Sequence, residues 1–229
     1  MPNSNMELLK GVARRLGPLL REVVFVGGCA TSLLITDEAG AEVRPTFDVD
    51  VIAEITSYAG YETFSERLRS LAFREDTSEG APRCRWLIDG MKLDVMPLDE
   101  KILGFTNRWY RAAMDAATET EIEPRLRIRL ITAAYFVATK LDAFKGRGRG
   151  DYTNSHDLED LLAVIDGREA IVGEIAGAGE VRFHIAGQIR TLLETPAFMD
   201  ALPGYLLPDV SSQNRLPILL NRLVKISGL

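Results

Sequence analysis

Apolar residues recur at helical spacing from Met6 to Arg21 and predict an opening amphipathic helix. Val23-Val24-Phe25-Val26 follows as an unbroken apolar run, a short strand that stops at Gly27-Gly28, and Cys29 to Ile35 reads as a short helix. A polar, turn-prone stretch from Asp37 to Arg44 precedes Phe47-Asp48-Val49-Asp50-Val51-Ile52. Here apolar and acidic residues alternate, the period of a strand, with Phe47, Val49 and Val51 directed to a core. Tyr61 to Phe73 has helical spacing. Cys84 to Ile88 and Met91 to Met96 alternate as strands, and Asp89-Gly90 between them is the strongest short hairpin signal available. Pro97 ends that pairing.

From Trp109 onward the texture changes. A strand-like stretch from Thr120 to Ile128, interrupted by Pro124, gives way to helices at Ile131 to Phe144, Ser155 to Ile165, Val181 to Leu193 and Ser212 to Ile226. The chain therefore divides into an α/β half, 1–118, and a mostly helical half, 119–229. The expected class is α+β: a mixed sheet with flanking helices, followed by a helical bundle.

At 229 residues the chain can bury at least one sizeable core. A 46% apolar content excludes a disordered or collagen-like chain. The net charge of −6 excludes a surface that is basic all round, so any polyanion must meet a local patch. Two cysteines, Cys29 and Cys84, fit reduced thiols better than a disulfide framework. MPNSNMELLK lacks a signal-peptide pattern, and no apolar run is long enough for a membrane span. A cytoplasmic protein is the expectation.

Three acids then change the picture. Asp48 and Asp50, two apart on one strand, share a face about 7 Å apart. Asp94 lies outward on the hairpin strand between Leu93 and Val95. If the two strands are neighbours, three carboxylates meet on one surface, and they repel unless something positive lies between them. A hard divalent cation such as Mg²⁺, which takes oxygen ligands and shares its sphere with phosphates, answers that need. The alternative is the solvated face of a half-buried sheet.

Gly27-Gly28, between a strand and a helix, lets backbone N–H groups approach a phosphate, or simply makes a tight turn. It is neither a Walker loop nor a Rossmann fingerprint. Lys140 stands on a mostly apolar helix and either snorkels or serves a site. Lys145, Arg147 and Arg149 follow on a glycine-rich loop, a local basic concentration suited to a triphosphate or an RNA backbone, or else a solvated linker. Arg125-x-Arg127-x-Arg129 offers the same choice. Asp157 suits a first helical turn after Asn154-Ser155. His156 reads as a structural residue, and no zinc or acyl-transfer pattern is present.

In order, Val26-Gly27-Gly28, Thr46-Phe47-Asp48-Val49-Asp50-Val51 and Leu93-Asp94-Val95 resemble the nucleotidyltransferase superfamily shared with DNA polymerase β. Lys140 followed by Asp157-Leu158-Glu159-Asp160-Leu161 resembles the later motifs of AbiEii/MenT-type nucleotidyltransferase toxins. The resemblance spans residues 23–165. Two features depart from the wider superfamily: the long gap from Gly28 to Asp48, and Gly28 where a serine is common. The resemblance implies Asp48, Asp50 and Asp94 as ligands of Mg²⁺, or Mn²⁺ in its place. It further implies Gly27, Gly28, Thr31, Thr46 and Lys140 on the NTP, and Asp157 near the reacting groups. Lys145, Arg147 and Arg149 would contact RNA. The implied reaction moves an NMP from an NTP to RNA, foremost a tRNA 3′ end, in a toxin with a cognate antitoxin partner. An aminoglycoside-type small molecule, a protein acceptor and a catalytically silent nucleotide-binding module stand beside it.

Overall fold

The computed structural model describes residues 4–37, 43–148 and 150–229. The chain forms two compact units, one of residues 1–32 with 45–132 and the other of residues 33–44 with 133–229.

The first unit runs α1 (Ser4–Leu16), a 3₁₀ turn (Gly17–Arg21), β1 (Val23–Val26), α2 (Gly27–Leu34, whose last two residues join the second unit), β2 (Val49–Ala53), α3 (Tyr58–Ser70) and β3 (Arg74–Glu75). It continues with β4 (Arg85–Ile88), β5 (Met91–Met96), α4 (Glu100–Leu103), α5 (Tyr110–Asp115), β6 (Thr118–Glu123) and β7 (Leu126–Leu130). The strands make one seven-stranded mixed sheet in the order β3-β4-β5-β2-β1-β7-β6. β1 pairs antiparallel with β2 and parallel with β7, and β2 runs parallel to β5. The opening helix stops at Leu16 because Gly17 takes φ +51° and Pro18 follows, which leaves only a 3₁₀ turn before the strand.

All four residues of β1 are buried, as a central strand covered on both faces requires. Leu9, Val12, Ala13 and Leu16 of α1 are fully buried at helical spacing, and Val49, Val51, Leu93 and Val95 are buried on the strands. The β4–β5 hairpin turns through Asp89 (φ +48°) and Gly90 (φ +79°), as a two-residue turn of this twist requires.

Three expectations are corrected. Residues 118–130 are not one interrupted strand but the hairpin β6–β7, turning at Pro124 and Arg125. Its pairing to β1 draws it into the first unit, so the sheet reaches beyond a division at 118/119. Phe47 does not face a core: β2 begins only at Val49, and Phe47 is 79% exposed.

The second unit contains α6 (Ala133–Arg147), α7 (His156–Gly167), α8 (Ile171–Ala176), α9 (Val181–Leu193), α10 (Pro196–Ala201), α11 (Val210–Gln213) and α12 (Leu216–Ser227). Its core is the apolar stripe of each longer helix, including Phe136, Val137, Leu161, Ile165, Ile185, Ile189, Leu219 and Leu223. Segment 33–44 belongs to this unit. The backbone N–H groups of Thr36 and Asp37 both donate to the Gly167 carbonyl at 2.9 Å, and the Arg168 guanidinium donates to the Leu34 carbonyl. No helix among the described residues is long and apolar enough to cross a membrane.

Candidate active site

Register brings the acids of the first unit together. Asp50 on β2 is paired with Asp94 on β5, and Asp94 with Arg85 on β4, so the three residues form one row across the sheet. Asp48 lies just before β2, and Arg85 draws it against Asp94. The arginine answers the repulsion among the acids. Its Nη2 lies 2.7 Å from Asp48 Oδ2 and 2.7 Å from Asp94 Oδ2, and its Nε donates to Asp94 Oδ1 at 2.8 Å. The hydrogen bond to Asp94 holds the guanidinium well above its ordinary range, so Arg85 stays charged. Among the described residues no group of three or more acidic, cysteine or histidine side chains is placed to hold a metal ion.

Asp48 is held from three sides. Thr46 Oγ1 donates to Asp48 Oδ1 at 3.0 Å, the Cys29 thiol donates to the Asp48 carbonyl at 3.1 Å, and Arg85 takes Oδ2. Thr46 is in turn fixed by its N–H to Asn5 Oδ1 at 2.9 Å. Its hydroxyl therefore orients a carboxylate. Thr31 is fully buried, and its hydroxyl finds no hydrogen-bond partner among the described residues.

The glycine turn meets Asp50. Gly27 has φ +69°, and a Cβ built there would lie 1.9 Å from Asp50 Oδ2. Gly28 is buried beside it, in the first turn of α2. The turn therefore serves close approach, here of a carboxylate to backbone.

The first unit also has a groove of about 570 Å³ lined by Arg21, Arg125, Arg127 and Arg129 with Glu119. Arg127 pairs with Glu121 at 3.3 Å, and Arg129 donates to the Met114 carbonyl at 2.7 Å. Four arginines and one glutamate line this groove, and Arg127 is paired with Glu119 as well.

In the second unit Lys140 is buried and its Nζ lies 2.6 Å from Asp160 Oδ2 and 3.3 Å from Asp157 Oδ1. Arg147 grips Asp157 through two hydrogen bonds of 2.8 Å, and Arg44 grips Asp160 at 3.1 and 3.2 Å. Burial pulls the Asp157 carboxyl upward, but Arg147 and Lys140 outweigh it and hold it below the carboxylate range. Lys140 therefore does not snorkel. Lys145 lines a shallow depression of about 290 Å³ with Phe144, Tyr152 and Gln188. Arg149 lies outside the described residues. His156 is exposed and meets Glu159 at 3.2 Å, an i,i+3 contact on the helix surface.

Arg85, Asn5 and Arg44 escaped the motif reading, and Asp160 entered it only as part of the run from Asp157 to Leu161. Arg85 had a usable signal: counting outward from the Asp89-Gly90 turn pairs residue 88 with 91 and therefore 85 with 94.

Two carboxylates of the set, Asp48 and Asp94, offer oxygens of the kind a hard cation takes. One positively charged nitrogen already sits at 2.7 Å from oxygens of two acids, so their lone pairs converge on a point, with Asp50 in register beside them.

No protein-family model matches the chain, and no curated protein sequence does. Among solved structures, the chain is similar to an antigenic nucleotidyltransferase-like protein from Paracoccidioides brasiliensis, at 17% identity and TM-score 0.54, over 89% of this chain and 94% of that one. It also matches the antibiotic-resistance factor ANT(2'')-Ia at 12% identity and TM-score 0.48, over 85% of this chain and 97% of that one. The first match shows the fold: a mixed α/β, nucleotidyltransferase-like architecture.

Proposed function

We propose that this chain is a divalent-metal-dependent nucleotidyltransferase that moves an NMP from an NTP to an RNA acceptor, foremost a tRNA 3′ end. In this reading it is a cytoplasmic toxin of the AbiEii/MenT type with a cognate antitoxin protein. The observation that carries the reading is the convergence of Asp48 and Asp94 oxygens on one cationic point, with Asp50 in the same row and against the Gly27 turn.

Asp48, Asp50 and Asp94 would hold Mg²⁺, which supplies charge neutralisation at the triphosphate when bound. The chain's own residues do the rest by positioning, because phosphoryl transfer leaves little covalent work to protein groups. Thr46 and Cys29 fix the orientation of Asp48. The Gly27-Gly28 turn, free of side chains, gives phosphate oxygens close access to backbone N–H groups. Asp94 orients the acceptor hydroxyl and takes its proton as the oxygen bonds to the α-phosphorus and the bond to the β-phosphate oxygen breaks, releasing pyrophosphate. The groove of Arg21, Arg125, Arg127 and Arg129 supports a polyanionic acceptor over a neutral or cationic one. Lys140 and Asp157, each buried in ion pairs, serve to order the polar core of the second unit.

A second reading, a nucleotide-binding module without catalysis, draws on Arg85 standing between Asp48 and Asp94. One assay separates the readings. The protein is incubated with Mg²⁺, each of four α-phosphate-labelled NTPs in turn, and total RNA or an aminoglycoside panel, beside Asp48→Ala. Label on small RNA that disappears with Asp48→Ala is the expected result. Label on an aminoglycoside moves the acceptor to a small molecule, and label on nothing favours the silent module.

A further inference from the structure

Arg85 lies between two of the acids that would hold a divalent cation, Asp48 and Asp94. The arginine is tethered on β4, its side chain is 15% exposed, and it meets the 31% exposed Asp48 and the 7% exposed Asp94 together. Its Nη2 lies 2.7 Å from one oxygen of each, so the guanidinium and a divalent ion held by these acids would compete for them. Two cations cannot share that point, because at such separations like charges repel strongly in a partly buried setting. Deprotonation offers no way out, since an arginine side chain keeps its charge in a protein. The side chain has to move.

Resting on the nucleotidyltransferase reading, we propose that Arg85 is a tethered counter-ion that competes with the divalent metal for Asp48 and Asp94 and leaves them only when a triphosphate arrives with the metal. The guanidinium keeps the acids paired and preformed while no substrate is bound. An incoming metal–triphosphate complex supplies both the replacement cation and a new anionic partner for the displaced fork, whose geometry matches phosphate oxygens. Metal alone offers the first but not the second. The chain should therefore take up metal weakly by itself and far more tightly with nucleotide, and Arg85 is what links the two.

The test is Mn²⁺ binding, followed by the paramagnetic resonance signal of free Mn²⁺, for the unaltered chain, Arg85→Gln and Arg85→Lys. Each is measured with and without a non-transferable NTP analogue. Expected is an Mn²⁺ affinity for Arg85→Gln about tenfold or more above that of the unaltered chain without nucleotide, with Arg85→Lys between them. The analogue should tighten Mn²⁺ binding to the unaltered chain more than to Arg85→Gln. If Arg85→Gln does not fold, Arg85→Lys, which keeps the charge but loses the fork, must still bind Mn²⁺ more tightly. Equal or weaker Mn²⁺ affinity in the folded variants, or no Mn²⁺ binding at all, overturns the proposal. The readout needs no acceptor. Tighter Mn²⁺ binding with no labelled acceptor keeps the counter-ion and removes the transferase, while labelled RNA with unchanged Mn²⁺ affinity does the reverse.

Discussion

The Asp50 carboxylate lies where a side chain on residue 27 would begin: a Cβ at Gly27 would stand 1.9 Å from Asp50 Oδ2 and 2.8 Å from Asp50 Cβ. The second distance matters more, because Cβ is rooted in the strand and cannot swing aside. Gly27→Ala must therefore displace Asp50 and also hold a left-handed φ of +69°. The expected outcome is a loss of about 1–2 kcal/mol in stability from the backbone alone and a fall of about 100-fold in nucleotide transfer. Gly80→Ala is the control, since Gly80 is exposed, has φ +79° and has nothing within 4 Å of its Cβ position. It should lower the unfolding midpoint while leaving transfer intact.

The ion pairs around Lys140 predict unequal costs for two cations on one acid. Lys140→Met removes a buried partner of Asp157 and Asp160 and is expected to cost about 3 kcal/mol in urea unfolding. Arg147→Gln removes a mostly exposed partner and should cost about 0.5–1 kcal/mol.

Asp157 also fixes a pH dependence. Burial pushes its carboxyl up, Arg147 and Lys140 bring it below the ordinary 3.8, and the net shift is downward. A group lowered in the folded state stabilises at pH values above its unfolded value and loses that contribution as pH falls through the folded one. Urea unfolding followed from neutral pH downward should show stability declining below about pH 4. Asp157→Asn should flatten that decline and lower stability at neutral pH.

Both thiols should be silent in the native protein. Cys84 is buried and its thiol is pushed up to about 12 by burial first and by Asp94 and Asp50 after it. Cys29 is buried and donates to the Asp48 carbonyl. A disulfide reagent at mildly alkaline pH should titrate neither thiol until the chain is unfolded, when both react. Fast reaction of a thiol in the native state would contradict the burial of this pair.

Arg215 carries a further prediction. Its Nε donates to Asp166 Oδ2 at 2.7 Å and its Nη2 to Asp37 Oδ2 at 2.8 Å, while Asp166 is fully buried. Arg215→Met leaves that carboxylate without the cation that pairs it. The expected cost is about 3–5 kcal/mol in chemical unfolding, against less than about 0.5 kcal/mol for removing a fully exposed arginine.

The sequence made the sheet face legible because period 2 is rigid: Val49 and Val51 inward places Asp50 on the opposite face, while Asp48 precedes the paired strand. The Asp89-Gly90 turn fixed the hairpin register as firmly. Phe47 misled because alternation does not say where a strand begins, and pairing starts only at Val49. The short helices α4, α5, α8, α10 and α11 span fewer than two turns and leave no period to detect. The links of Asp160 to Lys140 and Arg44 join residues 20 and 116 positions apart. No local pattern encodes such meetings. The acids were visible as a set, but the arginine that neutralises them required counting across a turn.

Segment 33–44 has a consequence for the order in which the molecule can be made. It leaves the ribosome early, yet the groups that fasten it come late: Asp160 for Arg44, the Gly167 carbonyl for Thr36 and Asp37, and Arg215, 178 positions after Asp37. Most of the first unit can pair its strands as they emerge. The second cannot be finished until Arg215 has been synthesised, and until then segment 33–44 waits for partners not yet translated.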